Sequence, residues 1–384
     1  MHGVAATARG RGPTLAGMTI WSADLGIRPI VRALADVDWR VAPGVSPEDV
    51  ARVVPRLRSH GLLAGVARRL EGTPLWPRLA ADVRGVLQDA ARAATARELA
   101  ASGPLQRALA ALSAARISIL VVKGEALAVQ AYSLPGLRER GDVDVWVPDT
   151  DFTAAEHILA ALAYTRRPAA TGEWLQPEAT WLRDEGGAML ALDLHRRLFA
   201  QPALAAVLPF AEVHGAAEPF TGQARMPAPH HALLIAALHR VAHHADDDRL
   251  VWTWDIHQLA TRFPAAVTEA ARIARERGAA AILGDALARS ATAFGTRFAA
   301  GLVGELLACA PREPTARLLR PMAPLSRWWF DLRTLPNGRA RRRWIAETLF
   351  PSRAYMRLKF GDGALWWLYA KRAVRGGWRA ITRR

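Results

Sequence analysis

Two aspartates two residues apart, Asp142 and Asp144, sit in the run DVDVWV (142–147). Strict alternation predicts a β-strand, and in a strand residues i and i+2 face the same way. Both carboxylates therefore share one face, while Val143, Val145 and Val147 take the other. Two carboxylates side by side repel unless something positive lies between them. Mg²⁺, a hard, oxygen-seeking ion, meets that need. A third aspartate, Asp193, lies in LALDLH, where Leu190, Leu192 and Leu194 alternate with Ala191, Asp193 and His195. If the two strands are neighbours, Asp193 joins the pair. Three carboxylates can hold two metal ions, one activating an attacking oxygen and one stabilising a leaving pyrophosphate. On this reading Asp144 is partly exposed, and Asp144→Ala abolishes chemistry while sparing the fold.

Upstream, ISILVV (117–122) is β-branched and apolar and predicts a buried strand. Lys123 and Gly124 end it, and EALAVQAY predicts a short helix. Backbone N–H groups and an ammonium at that junction could rest against a triphosphate. Arg138 and Arg140, just before the Asp pair, could also hold phosphate. Asp149 and Thr150 lead into a helix over about 151–163, and GAMLALDLHRRL (187–198) gives the third strand.

Helical patterns flank this α/β segment. Ser46 with Asp49 opens one, residues 79–113 form a long one expected to break near Ser102-Gly103-Pro104, and 229–262 and 265–310 supply others. The chain thus divides into a disordered tail (1–17), a helical region (18–104), an α/β core (105–200), a helical region (201–310) and a basic Trp-rich region (311–384). The fold class is α+β, a small mixed β-sheet embedded in a mainly helical protein.

The net charge of +16 is concentrated at the end: residues 311–384 hold 18 Arg and Lys against 4 Asp and Glu. This basic tail could meet a polyanion or an anionic membrane. The plainer expectation is that its tryptophans pack on the protein body and its arginines face water. The one cysteine, Cys309, excludes an intrachain disulfide, fits a reducing cytoplasm, and stands among apolar neighbours as a buried inert thiol. No apolar run approaches the ~20 residues of a membrane span.

PHHALLIAALHRVAHHADDD contains His230, His231, His239, His243 and His244. His239 and His243 share a helical face, but Arg240 stands where a His-Glu-x-x-His zinc protease has its Glu. The HHADDD run invites a metal-dependent phosphohydrolase reading, with imperfect spacing. His239, His243 and Asp255 could instead wall the acceptor side of a cleft, with Asp255 partnering a His or an Arg. His195 could orient the metal site, act as a base, or face the core.

The run ILVVKGEALAVQAYSLPGLRERGDVDVWV resembles the uncharacterised nucleotidyltransferase family of the DNA polymerase β superfamily. The resemblance rests on Lys123, Gly124, Tyr132, Arg138, Asp142 and Asp144, on Asp193-Leu194-His195, on HHALLIAALHRVAHH, and on Leu349-Phe350-Pro351-Ser352. It implies a small mixed sheet with metal-bound aspartates, an NTP donor and an acceptor it does not name. Gly124-Glu125 replaces the Gly-Ser of the broader superfamily, so Glu125 offers no hydroxyl to a phosphate. Two functions follow: a Mg²⁺-dependent nucleotidyltransferase acting on a hydroxyl or phosphate acceptor, or a decayed scaffold that binds a nucleotide, peptide or nucleic acid.

Overall fold

One apolar run and two alternating segments build the centre of the fold. The structure, a computed structural model, describes residues 45–169, 172, 174–243 and 249–382, with the side chains of Pro135, His243 and 375–382 outside the described set. The expected tail, the first part of the helical region (18–44) and the HHADDD aspartates fall outside it, as do the side chains of His243 and His244.

Strands β1 (Leu120–Val122), β2 (Val143–Trp146), β3 (Thr165–Arg166), β4 (Glu178–Glu185), β5 (Ala188–His195), β6 (Glu218–Thr221) and β7 (Ala224–Met226) form one mixed sheet. Its order is β3-β4-β5-β2-β1-β7-β6. β2 pairs antiparallel with β1 and parallel with β5. β1, β2 and β5 lie where the sequence predicts strands, β1 from its apolar β-branched run and β2 and β5 from their alternation. β4 joins β5 through Gly186-Gly187, both at positive φ (64° and 88°). Glycine occupies that region freely, and a two-residue turn with both φ positive matches the right-handed twist of a hairpin. β6 and β7 add a second hairpin beyond residue 200, inside what the sequence marks as helical.

Each face of the sheet has its own core. Val121, Val143, Val145, Leu192 and Leu194 pack against the second half of helix α3 (Ala81–Ala114) and helix α5 (Phe152–Ala161). Leu120, Val122 and Trp146 turn the other way, into a core shared with the helical bundle. The first half of α3 enters that second core through Leu87 and Ala91. This explains why α3 runs unbroken through Pro104, contrary to expectation. Burial at both ends outweighs the ~3 kcal/mol or more that an internal proline costs.

Helix α1 (Pro47–Ser59) begins with a reciprocal cap: Asp49 N donates to Ser46 Oγ (3.1 Å) and Ser46 N to Asp49 Oδ2 (3.0 Å). Helix α2 (Leu63–Leu70) follows, and helix α4 (Lys123–Gln130) leaves β1 directly. After α6 (Phe210–Gly215), the bundle is built from α7 (Pro229–His243), α8 (Leu250–Arg262), α9 (Pro264–Glu276) and α10 (Ala280–Phe294), then short α11 (Leu302–Leu307). Helices α12 (Pro324–Thr334), α13 (Gly338–Leu349), α14 (Arg353–Phe360) and α15 (Leu365–Thr382) carry the basic region. It attaches through Glu347, whose Oε2 accepts from Trp174 N (2.9 Å) and Leu175 N (3.1 Å), and through a small core around Leu335 and Trp344.

Two expectations need correcting. Cys309 is half-buried: it lies in the turn just after the short helix α11 and packs on the edge of the core, not inside it. The tryptophans divide: Trp344 is buried, whereas Trp329, Trp366 and Trp367 are exposed. No helix among the described residues is long and apolar enough to cross a membrane.

Candidate active site

The β2–β5 register sets Asp144 directly opposite Asp193. The alternation that sends Val143, Val145, Leu192 and Leu194 to the core behind the sheet turns Asp142, Asp144, Asp193 and His195 to the other face. That face floors a cleft of about 660 Å³, walled by α7 and α8. The size suits a nucleotide-sized ligand. Lys123, Gly124, Arg138, Asp142, Asp144, Asp193, His239 and Asp255 all line it.

Asp144 is 5% exposed, which corrects the expectation of a partly exposed carboxylate. Its Oδ1 accepts from Lys123 Nζ at 2.7 Å and lies 2.8 Å from His195 Nε2; neither contact uses Oδ2. Burial alone would raise its pKa, but the Lys123 ammonium and the His195 hydrogen bond outweigh it and hold the carboxyl far below its ordinary range. Burial likewise works against the charge on Lys123. Asp144 overcomes it, so the ammonium titrates above its usual value.

Lys123 carries φ 54°, left-handed backbone that costs a non-glycine residue roughly 1–2 kcal/mol. It is the hinge at which β1 becomes α4. Such strain persists only where the surroundings enforce it, and it clusters at functional sites. Here it delivers Nζ to the carboxylates on the neighbouring strand. The next residue, Gly124, packs closely under the arginines: a Cβ there would touch Arg138 Nη1 at 3.4 Å and Arg140 Cβ at 3.5 Å, ordinary contact distances.

Asp142 stands at the open mouth of the cleft. Protein surrounds it on enough sides that loss of bulk water, with the neighbouring Asp144 and Asp193 charges, pushes its pKa up to about 6. Asp193 is raised too, first by burial and then by Asp144, against relief from the Thr180 hydroxyl. Its Oδ1 is buried and without a hydrogen-bond partner.

His195 is fully buried beneath Asp144. Glu178 Oε2 approaches its Nδ1 at 3.4 Å, near enough for charge but off-line for a hydrogen bond. Glu178, Asp144 and Lys123 thus surround one imidazole in a position to orient Asp144, out of reach of an acceptor. The sequence reading missed Glu178. Its signal was the alternation of Glu178 and Thr180 with buried Ala179 and Trp181, followed by Gly-Gly and the Asp193 strand.

Arg138 faces the cleft but is not free to hold phosphate. Nε and Nη2 donate to the two oxygens of Asp255 (3.0 and 2.9 Å), and Nη1 donates to the Glu139 carbonyl. Tyr132 Oη donates to the same Asp255 Oδ1 (2.6 Å), and burial with that negative charge drives the phenol pKa well up. This buried cluster pins the loop before β2 to α8. Arg140 is similarly engaged, with Nε donating to Glu125 Oε2 at 2.5 Å. The unexpected Glu125 therefore has a structural partner. His239 lies on the cleft wall against Trp252, ring centroids 5.9 Å apart.

Among the described residues, no group of three or more His, Cys, Asp or Glu side chains is gathered to hold a metal ion. Lys123 supplies the positive charge that Asp144 requires. The donor set still has the chemistry for a hard divalent cation: Asp142 at the mouth, Oδ2 of Asp144, and the unpartnered Oδ1 of Asp193 share one face. A cation would draw Asp142 and Asp193 toward Asp144 and compete with Lys123.

A family described as "Uncharacterised nucleotidyltransferase" matches residues 46–295. No curated protein and no solved structure matches the chain. The matched span contains the whole sheet, both cleft walls and every residue of the site described above. The chain belongs to the uncharacterised nucleotidyltransferase family.

Proposed function

We propose that the protein transfers a nucleoside monophosphate from an NTP to a hydroxyl or phosphate acceptor, with Mg²⁺ bound by Asp142, Asp144 and Asp193. The observation that carries the reading is the Asp144–Asp193 register, with Asp142 on the same face, flooring a cleft that also holds Lys123. When bound, Mg²⁺ neutralises the carboxylates and the triphosphate and polarises the α-phosphate.

The chain's own groups supply the rest. Lys123 leaves Asp144 and takes a triphosphate oxygen, exchanging one anionic partner for another. Gly124 lets the chain approach the phosphates without a side chain. His195 keeps Asp144 in its rotamer. The Arg138–Asp255–Tyr132 cluster fixes the loop that presents Asp142. Asp193 completes the carboxylate set and is placed to take the acceptor's proton, and the His239 and Trp252 wall offers the acceptor a surface.

A second reading, a binding scaffold without chemistry, is favoured by one feature: Lys123 already saturates the Asp144 oxygen that faces it, with no metal needed. Titration with non-hydrolysable NTP analogues with and without Mg²⁺ separates the two. Transfer requires Mg²⁺-dependent binding that Asp142→Asn removes. Binding indifferent to Mg²⁺ and to that substitution would support the scaffold reading.

A further inference from the structure

The apolar surface of the basic region is unusual in where it lies. Helix α15 is the last described element, and on it Trp366, Ala370, Val374 and Trp367 fall within an arc of about 100° at 3.6 residues per turn. All four are exposed: Trp366 is 72% accessible and Val374 74%. Leu368, on the far side of the wheel, is completely buried. The helix is thus amphipathic twice over, with one apolar edge docked on the protein and another facing outward. Phe350, also exposed, packs edge-to-face on Tyr369 (5.7 Å), which flanks Trp366, and Leu358 adds a further exposed aliphatic on α14.

Charge frames this stripe. Residues 348–384 contain nine Arg and Lys and a single acid, Asp362. Lys371 sits at the edge of the stripe with Nζ 5.6 Å from the Trp367 ring centroid, and Arg357 and Lys359 are exposed beside Leu358. Nucleic acid would account for the cations and for stacked indoles, but it offers nothing to Val374 or Leu358. A bilayer surface takes all of them: indoles at the headgroup level, aliphatics in the outer acyl region, cations on anionic headgroups.

We propose that α14 and α15 dock the protein on an anionic phospholipid surface, lying in the interface without spanning it. The two tryptophans and Val374 insert, while Arg357, Lys359 and Lys371 pair with headgroup phosphates. This surface involves none of the cleft residues and stands independently of the nucleotidyltransferase reading.

The test is co-sedimentation of the full chain with vesicles of phosphatidylcholine alone and of phosphatidylcholine with one part in three phosphatidylglycerol, with indole fluorescence as a second readout. Binding to the anionic vesicles is expected to be at least ~tenfold stronger, to weaken in high salt and to blue-shift the fluorescence. Trp366→Ser/Trp367→Ser should lower binding by ~tenfold or more with an unchanged circular-dichroism melt. Equal or absent binding to both vesicles would overturn the proposal. So would tighter binding to single-stranded RNA than to anionic vesicles, or a self-association that buries the indoles in solution.

Discussion

Removing the carboxylate of Asp144 should cost stability, and removing Lys123 with it should add little to that cost. Lys123 and Asp144 are 11% and 7% exposed at the side chain and meet at 2.7 Å. Asp144→Asn leaves a buried ammonium without its counter-ion, a loss of about 3–5 kcal/mol. Lys123→Met leaves Asp144 with His195 as a remaining partner and should cost about 1–3 kcal/mol. The double variant buries neither charge, so its loss should fall below the sum of the singles by about 1–3 kcal/mol. Urea unfolding of the four proteins, followed by circular dichroism at neutral pH without divalent ions, gives the cycle directly. Mg²⁺ adds a second arm. With Lys123 gone, Asp144 keeps only His195 on Oδ1 and no cation competes for the carboxylate, so Mg²⁺ at ten times its Kd should stabilise Lys123→Met by about 1.4 kcal/mol. Additive losses within about 0.5 kcal/mol would show that the pair is not coupled and would refute the reasoning.

Other outcomes follow from the same structure. The raised pKa of Asp142, about 6, marks a protonated form favoured by folding. Its contribution is fully present below the ordinary carboxylate range and lost as pH rises through about 6. Metal-free protein should therefore lose stability over that window, Asp142→Asn should not, and Mg²⁺ should reverse the trend; thermal melts across pH check all three. His231 is 2% exposed, and burial with its neighbour His230 depresses its pKa to about 4. Stability it contributes is present above its ordinary value of 6.5 and is lost as pH falls toward 4, so His231→Leu should flatten the acid limb of a pH–stability curve. Asp255→Asn unpairs the Arg138 guanidinium in a buried site and should cost about 3–5 kcal/mol in denaturant melts while weakening nucleotide binding through the displaced loop. At Gly65 a Cβ would lie 2.8 Å from the Leu137 carbonyl and 2.9 Å from Trp254, so Gly65→Ala should destabilise by about 1–3 kcal/mol.

The sequence made the three aspartates legible because strand alternation is local: once DVDVWV is a strand, its carboxylates share a face. The junction of Lys123 with its helix was readable for the same reason. What lay beyond reach depends on partners far along the chain. The adjacency of β2 and β5 is a pairing across 49 positions, stated in sequence as a condition and supplied by the register of Asp144 with Asp193. Arg138 reads as a phosphate ligand until Asp255, 117 residues later, takes its guanidinium. The left-handed backbone of Lys123 leaves no trace in residue type, since glycine or asparagine would be expected there. Two misses were avoidable. Gly186-Gly187 between alternating runs is a hairpin signal, and reading it would have found β4 and Glu178. Pro104 was given the weight of an isolated helix, although Leu105, Leu109 and Leu112 after it repeat at helical spacing.

The central claim is that three carboxylates on one sheet face hold Mg²⁺ for an NTP. Calorimetric titration with non-hydrolysable ATP, GTP, CTP and UTP analogues, with Mg²⁺ and with EDTA, on the native protein and on Asp142→Asn, tests it most directly. The expected result is saturable binding of at least one analogue that needs Mg²⁺ and is lost in Asp142→Asn, a variant that keeps the Lys123–Asp144 pair and the fold. Failure of every analogue to bind, or binding unchanged by EDTA and by the substitution, would contradict it.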